Sequence, residues 1–232
     1  MTNKEEQLYD VWWQHTEGEQ QMEERHLRGW REVIGLMKEE DLTSCSVLDF
    51  GCNQGGFLRH LYQQKPFKDG IGIDLAQKSV ETANARKGDL PLQYVATGSP
   101  EQLETRFDLA FSLSVLYLID DLKTHAWKLK QALKPGGVYY ATFTDYRNNP
   151  SVHYFQEQIA KNSLLKAQLH TLDDIAAAFF AEGFQVGIRR RIPADFVALA
   201  PKEKFFLSID DKMQEQYEQA YIFRFSLPAD LG

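Results

Sequence analysis

With 43% hydrophobic and 25% charged residues among 232, the chain has the composition of a globular domain long enough to bury a full core. Its 33 acidic residues against 26 basic ones leave a formal charge of −7, which repels a phosphate backbone and disfavours nucleic acid as a partner. The longest nearly apolar run, Leu109 to Ile119, is too short to span a bilayer, and MTNKEEQLYD lacks the charged-then-apolar pattern of an export signal, so a cytoplasmic protein with no membrane partner is expected.

In chain order, an acidic segment with an aromatic cluster (Tyr9, Trp12, Trp13) leads into QQMEERHLRGWREVIGLMKEE. Here Met22, Leu27, Trp30, Val33, Ile34 and Met37 share one helical stripe, so residues 1–45 are expected to form a helical cover. The two cysteines that follow, Cys45 and Cys52, fit neither a disulfide framework nor a zinc spacing, and no metal site is expected. From Ser46 strands and helices alternate. SVLDF precedes a helix over residues 56–64, and DGIGID precedes one over residues 76–87. LQYVAT and FDLAFSL are the next strands, DDLKTHAWKLKQAL a helix, LKPGG its stop, and GVYYATFTD a fifth strand. This rhythm predicts a doubly wound α/β domain, mostly parallel, with helices on both faces.

After Asp145 the rhythm breaks. RNNP signals a turn, and residues 151–166 read as an inserted helix in a lid-like segment spanning about residues 146–169. HTLDDIAAAFFAEGF then carries a capping box, Thr171 with Asp174, and closes at Gly183; His170 before it reads as structural. QVGIRRRI and AYIFRFS are the last two of seven strands. The run Arg189 to Arg191 reads as a solvated strand face, since alternate side chains point opposite ways. No linker divides the chain, so residues 46–232 are expected to form one domain.

The most informative stretch is VLDFGCNQGG. In a parallel α/β sheet ligands gather at the carboxyl ends of the strands, which is where Asp49, the loop GCNQGG and Asp74 fall. Glycines permit close backbone approach, and the helix opening at Gly56 turns unpaired N–H groups to the same place. Asp74, 23 residues after Gly51, ends the second strand and can accept from both vicinal hydroxyls of a ribose. A nucleoside-containing cofactor is implied. A nicotinamide dinucleotide loop, G-x-G-x-x-G, fits Gly51 and Gly56 but has Asn53 in place of its middle glycine.

The same string resembles motif I of the class I S-adenosylmethionine-dependent methyltransferases, [D/E]-x-G-x-G-x-G, through Asp49, Gly51, Asn53 and Gly55, with asparagine able to take the left-handed conformation. GIDLAQKSVETANAR resembles the second motif, and VATGSPEQL places Ser99 where many members have an acid facing the adenine amino group. FDLAFSLSVLYLI and LKPGGVYYATF are similar to strands four and five of that fold, and the paired strands after Gly183 to its final antiparallel pair. The resemblance implies a Rossmann-like seven-stranded sheet with an antiparallel last strand and S-adenosyl-L-methionine as cofactor. It implies that Asp49, Gly51, Cys52, Asn53, Gly55, Asp74, Leu75, Gly98, Ser99, Ser112 and Leu113 hold that cofactor, with Tyr117 and His153 on the acceptor side.

Methyl transfer from a sulfonium is an in-line displacement that needs alignment more than a base, and no base is legible. SLSV stands where DNA amino-methyltransferases carry [D/N/S]-P-P-[Y/F/W], and the Pro-Cys nucleophile of cytosine-C5 enzymes is missing, so a small-molecule acceptor is expected. Two alternatives stay open. Asn53 and Ser99 also suit a non-catalytic module that keeps the fold, and an NAD(P)-binding Rossmann protein is the other reading.

Overall fold

The computed structural model describes residues 19–162 and 166–229. The aromatic cluster of Tyr9, Trp12 and Trp13 lies outside the described residues. One seven-stranded sheet organises the rest, in the order β3-β2-β1-β4-β5-β7-β6. Its strands are β1 (Leu42–Phe50), β2 (Phe67–Asp74), β3 (Leu92–Ala96), β4 (Phe107–Ser112), β5 (Leu133–Thr144), β6 (Gln185–Arg190) and β7 (Ala220–Ser226). The pairs among β1 to β5 are parallel, while β7 runs antiparallel to both its neighbours, β5 and β6. The helices are α1 (Glu19–Leu36), α2 (Gly56–Gln64), α3 (Gln77–Arg86), α4 (Leu122–Ala132), α5 (Val152–Asn162), α6 (Leu172–Ala181) and α7 (Ile209–Gln214). Among the described residues no helix is long and apolar enough to cross a membrane.

Strand alternation divides the core into two layers. In β1, Val47 faces Leu109, Phe111, Val138 and Ile222 under α1, α2 and α3, while Leu48 faces Ala110, Tyr139 and Phe225 under α4 and α6. Both layers are covered, so the strands read as nearly continuous apolar runs. The second layer centres on an aromatic stack in which Phe225 lies 3.7 Å from Phe179 and 5.4 Å from Tyr139, centroid to centroid. Capping sets two of its helices. Asp121 accepts from the N–H of Lys123 and Thr124 at 3.0 Å each, and the expected box pairs Thr171 with Asp174 in both directions.

Three boundaries differ from the sequence reading. β1 starts at Leu42, so the division expected at residue 45 falls inside a strand. LKPGG stops α4 but also belongs to β5: Phe107 pairs with Leu133 and Leu109 with Val138, so the extra residues are absorbed as a bulge. The N-terminal helix is part of the core, with Val33 and Ile34 buried and Trp30 edge-on to Phe57 at 6.2 Å. The chain leaving it is tied down by Glu39, which takes hydrogen bonds from Tyr140 Oη at 2.8 Å and Arg224 Nη2 at 3.1 Å. In the triple-arginine run, Arg191 is held by Glu32 at 2.7 Å and Arg189 stays exposed.

Phe225→Ala removes the hub of the aromatic layer and is expected to cost about 3–5 kcal/mol, read as a lowered urea midpoint with unchanged slope.

Candidate functional site

The sheet order reverses between β1 and β4, and the cleft outside their carboxyl ends is where the sequence placed a ligand. After Phe50 the chain turns back on β2: the N–H groups of Gly51 and Cys52 both donate to the Ile73 carbonyl, at 2.8 and 2.9 Å. Gly51, Asn53 and Gly55 then take φ of 79°, 50° and 73°, three alternate left-handed residues. Asn53 therefore does the work of a glycine, as expected of a residue whose short amide tolerates this region. A Cβ on Gly51 would lie 2.5 Å from Val115, and one on Gly55 2.4 Å from Tyr94. Gly55 is also the N-cap of α2, and its missing side chain leaves the first-turn N–H groups directed to the cleft.

Asp74 locks this loop. Its Oδ2 accepts from Asn53 N and its Oδ1 from Ala76 N, both at 2.9 Å. The Leu75 N–H also favours the charged form, and the residue keeps accessible surface, so the carboxylate is oriented and can still accept from a ligand. Asp49 lies behind it, 3% exposed, with Oδ2 lacking a hydrogen-bond partner among the described residues. Burial, and then the charge of Asp74, push the Asp49 carboxyl up to about 8; burial raises Asp74 too, opposed by its backbone donors. Burial and the two carboxylates also raise the Cys52 thiol, which packs in the core and is unsuited to nucleophilic work.

Leu75 stays 43% exposed against Gly98, an uncovered apolar surface at the cleft. Ser99 is buried, and Lys128 Nζ donates to the Gly98 carbonyl at 3.0 Å and reaches Ser99 Oγ at 3.4 Å. Ser112 is fully buried at the end of β4, Leu113 is partly buried, and Ser114 takes a left-handed φ of 60° with its N–H on Thr142 Oγ1 at 2.8 Å. The candidates from Asp49 to Leu113 thus fall at the carboxyl ends of β1 to β4, with Cys52 and Ser112 buried.

Tyr117 lies at the carboxyl side of β4, edge-on to Phe155 of α5 at 5.7 Å, and burial pushes its phenol up to about 12. His153 is different. It sits on the exposed side of α5, and the residues that α5 turns inward are Phe155 and Ile159. His170 bonds the Ile119 carbonyl at 2.7 Å, a structural role.

The sequence reading missed two carboxylates. Glu101, two residues after Ser99, keeps a buried Oε2 without a partner among the described residues, and its place in a motif already quoted could have revealed it. Glu215 comes to the end of β5 from far along the chain, and no local pattern marks it.

The methyltransferase-domain family matches residues 20–187. The chain belongs to that family. Among its relatives, an uncharacterized methyltransferase of Schizosaccharomyces pombe is 31% identical over 124 residues, covering 44% of this chain and 43% of its own. A ubiquinone biosynthesis O-methyltransferase of Rickettsia typhi is 29% identical over 102 residues, covering 42% and 40%. The chain thus spans about two-fifths of the length of the curated relatives it matches. A solved complex between the Trm112 methyltransferase activator of Haloferax volcanii and a methyltransferase contains a chain of the same fold, with TM-score 0.77, 21% identity and coverage of 95% of this chain and 97% of that one. The fold is shared with solved S-adenosylmethionine-dependent methyltransferases.

The raised carboxyl of Asp49 sets a pH dependence. A group raised above its unfolded value near 3.8 contributes its full stability below that value and loses it as pH rises towards about 8. The ligand-free protein should therefore lose thermal stability across this window. Asp49→Asn should flatten the profile and be the more stable form at pH 9. For the loop, Asn53→Gly should bind S-adenosylhomocysteine as wild type does, while Asn53→Val, strained at φ 50°, should bind at least about tenfold more weakly by calorimetry.

Proposed function

We propose that this domain transfers a methyl group from S-adenosylmethionine to a small-molecule acceptor by in-line displacement. The observation that carries the reading is the left-handed Gly51–Asn53–Gly55 loop held by Asp74. When bound, the cofactor supplies a methyl group already activated on a sulfonium. The chain's own part is to bind, orient and exclude water. Asp74 can still accept from the ribose hydroxyls. The loop and the open first turn of α2 suit the polar methionine part, and the unpartnered Asp49 oxygen suits a ligand that brings donors or positive charge. Leu75, Gly98, Ser99 and Glu101 form the surface for the base, and the segment from Ser112 to Ser114 borders the side from which an acceptor approaches.

The dinucleotide reading is disfavoured by the Asn53 side chain, whose buried Oδ1 occupies the place where a pyrophosphate needs bare backbone. A small acceptor is supported by the name of one relative, a ubiquinone biosynthesis O-methyltransferase.

Calorimetry with S-adenosylhomocysteine tests the reading. Two lost hydrogen bonds to a charged group amount to about 3–5 kcal/mol, so Asp74→Ala should bind at least about a hundredfold more weakly. Asp74→Asn should fall between, since its single acceptor oxygen cannot serve both a backbone N–H and both hydroxyls. Wild-type affinity in folded Asp74→Ala, checked by circular dichroism, would place the ribose elsewhere.

A further inference from the structure

At the carboxyl end of β5 lies a second set of buried polar groups that cofactor binding does not use. Thr144 ends the strand and Tyr146 opens the turn after it. Glu215 is carried back to them because β7 pairs with β5, Ala220 opposite Thr144. The Glu215 side chain is buried; its Oε1 accepts from Thr144 Oγ1 at 3.2 Å and its Oε2 from Gln216 Nε2. Both donors are neutral. The cations whose charge reaches it, Lys212 and Arg191, are paired with other acids, Glu203 and Glu32, each at 2.7 Å. Among the described residues Glu215 is thus a buried carboxylate with no cation in contact, an arrangement that costs stability unless a proton or a ligand compensates it.

Aromatic rings wall the same place. Tyr146 stacks on Phe155 at 4.0 Å, Tyr117 meets Phe155 edge-on, and Phe205 closes the far side at 6.0 Å. Tyr117 and Tyr146 pack on this cluster yet both keep accessible surface. The Tyr146 phenol is close enough to Glu215 and Tyr117 for both to raise it further, after burial. Ring faces are electron-rich, and beside a buried carboxylate they favour a cation over a neutral or anionic guest.

We propose that Tyr117, Tyr146, Phe155 and Glu215 form the acceptor pocket, and that the acceptor is a small organic amine held there as its ammonium ion. The proposal rests on the cofactor cleft described above, which shares the carboxyl ends of β4 and β5 with this cluster. An ammonium must lose a proton before its nitrogen can be methylated. Transfer of that proton to the Glu215 carboxylate frees the nitrogen lone pair and leaves the acid neutral, the form that burial favours.

The test is calorimetry with choline and with its uncharged counterpart 3,3-dimethylbutan-1-ol, each with and without saturating S-adenosylhomocysteine. Ethylamine serves as a smaller cationic probe. Wild type should bind at least one of the cations, and hold choline or ethylamine at least about tenfold more tightly than the alcohol. Glu215→Gln, folded by circular dichroism, should lose that preference while its S-adenosylhomocysteine affinity is unchanged; Tyr146→Leu should weaken cation binding likewise. No binding of either cation by a wild type that binds S-adenosylhomocysteine would overturn the pocket, as would an unaltered preference in Glu215→Gln. Failure of S-adenosylhomocysteine to bind wild type would instead overturn the cofactor reading, and the arms without it report on the pocket separately.

Discussion

Two carboxylates held side by side, one buried and one half-buried, govern this structure. Asp49 and Asp74 leave the ends of adjacent strands, and burial, followed by the charge of Asp74, raises the proton affinity of Asp49. Asp74 is compensated in part by the N–H groups of Asn53 and Ala76, which at the same time draw the loop after β1 onto the end of β2. Loop shape and the proposed ligand acceptor are therefore one device. Asp49 has no such compensation, and its orphan oxygen is a cost that a bound ligand with donors can offset.

Holding such a site requires a rigid frame. The two core layers supply it, because each strand sends alternate side chains to opposite faces and neither face can slip without exposing large residues. The loop adds its own constraint. Val115 and Tyr94 crowd Gly51 and Gly55 so closely that side chains there would have to displace packed groups. Preorganisation of this kind lets binding free energy go to the ligand and not to ordering the loop.

The proposed acceptor side is built on another principle. There the chain brings together segments distant in sequence: Tyr117 after β4, Tyr146 after β5, Phe155 in the inserted helix and Glu215 before β7. The antiparallel insertion of β7 beside β5 is what delivers Glu215 to Thr144. A site assembled this way can change its chemistry by changing the inserted segments, with the cofactor end of the sheet untouched.

What the sequence determined by itself was whatever depends on near neighbours. The alternation of strands and helices, the capping box of Thr171 and Asp174, and the left-handed role of Asn53 between two glycines all follow from residues within a few positions of one another. Asp74 was legible as well, because a strand end beside a glycine loop is a place that topology fixes. Only the tertiary structure decided the rest. It turned LKPGG into a bulge within β5, because the register with β4 had to absorb the extra residues. It left His153 in solvent while its neighbour Phe155 faced inward, a choice made by what α5 packs against and not by its composition. Above all it buried Glu215 at the end of a strand 71 residues away, since hydrogen bonding between β5 and β7 is non-local and leaves no periodic trace around the residue it delivers.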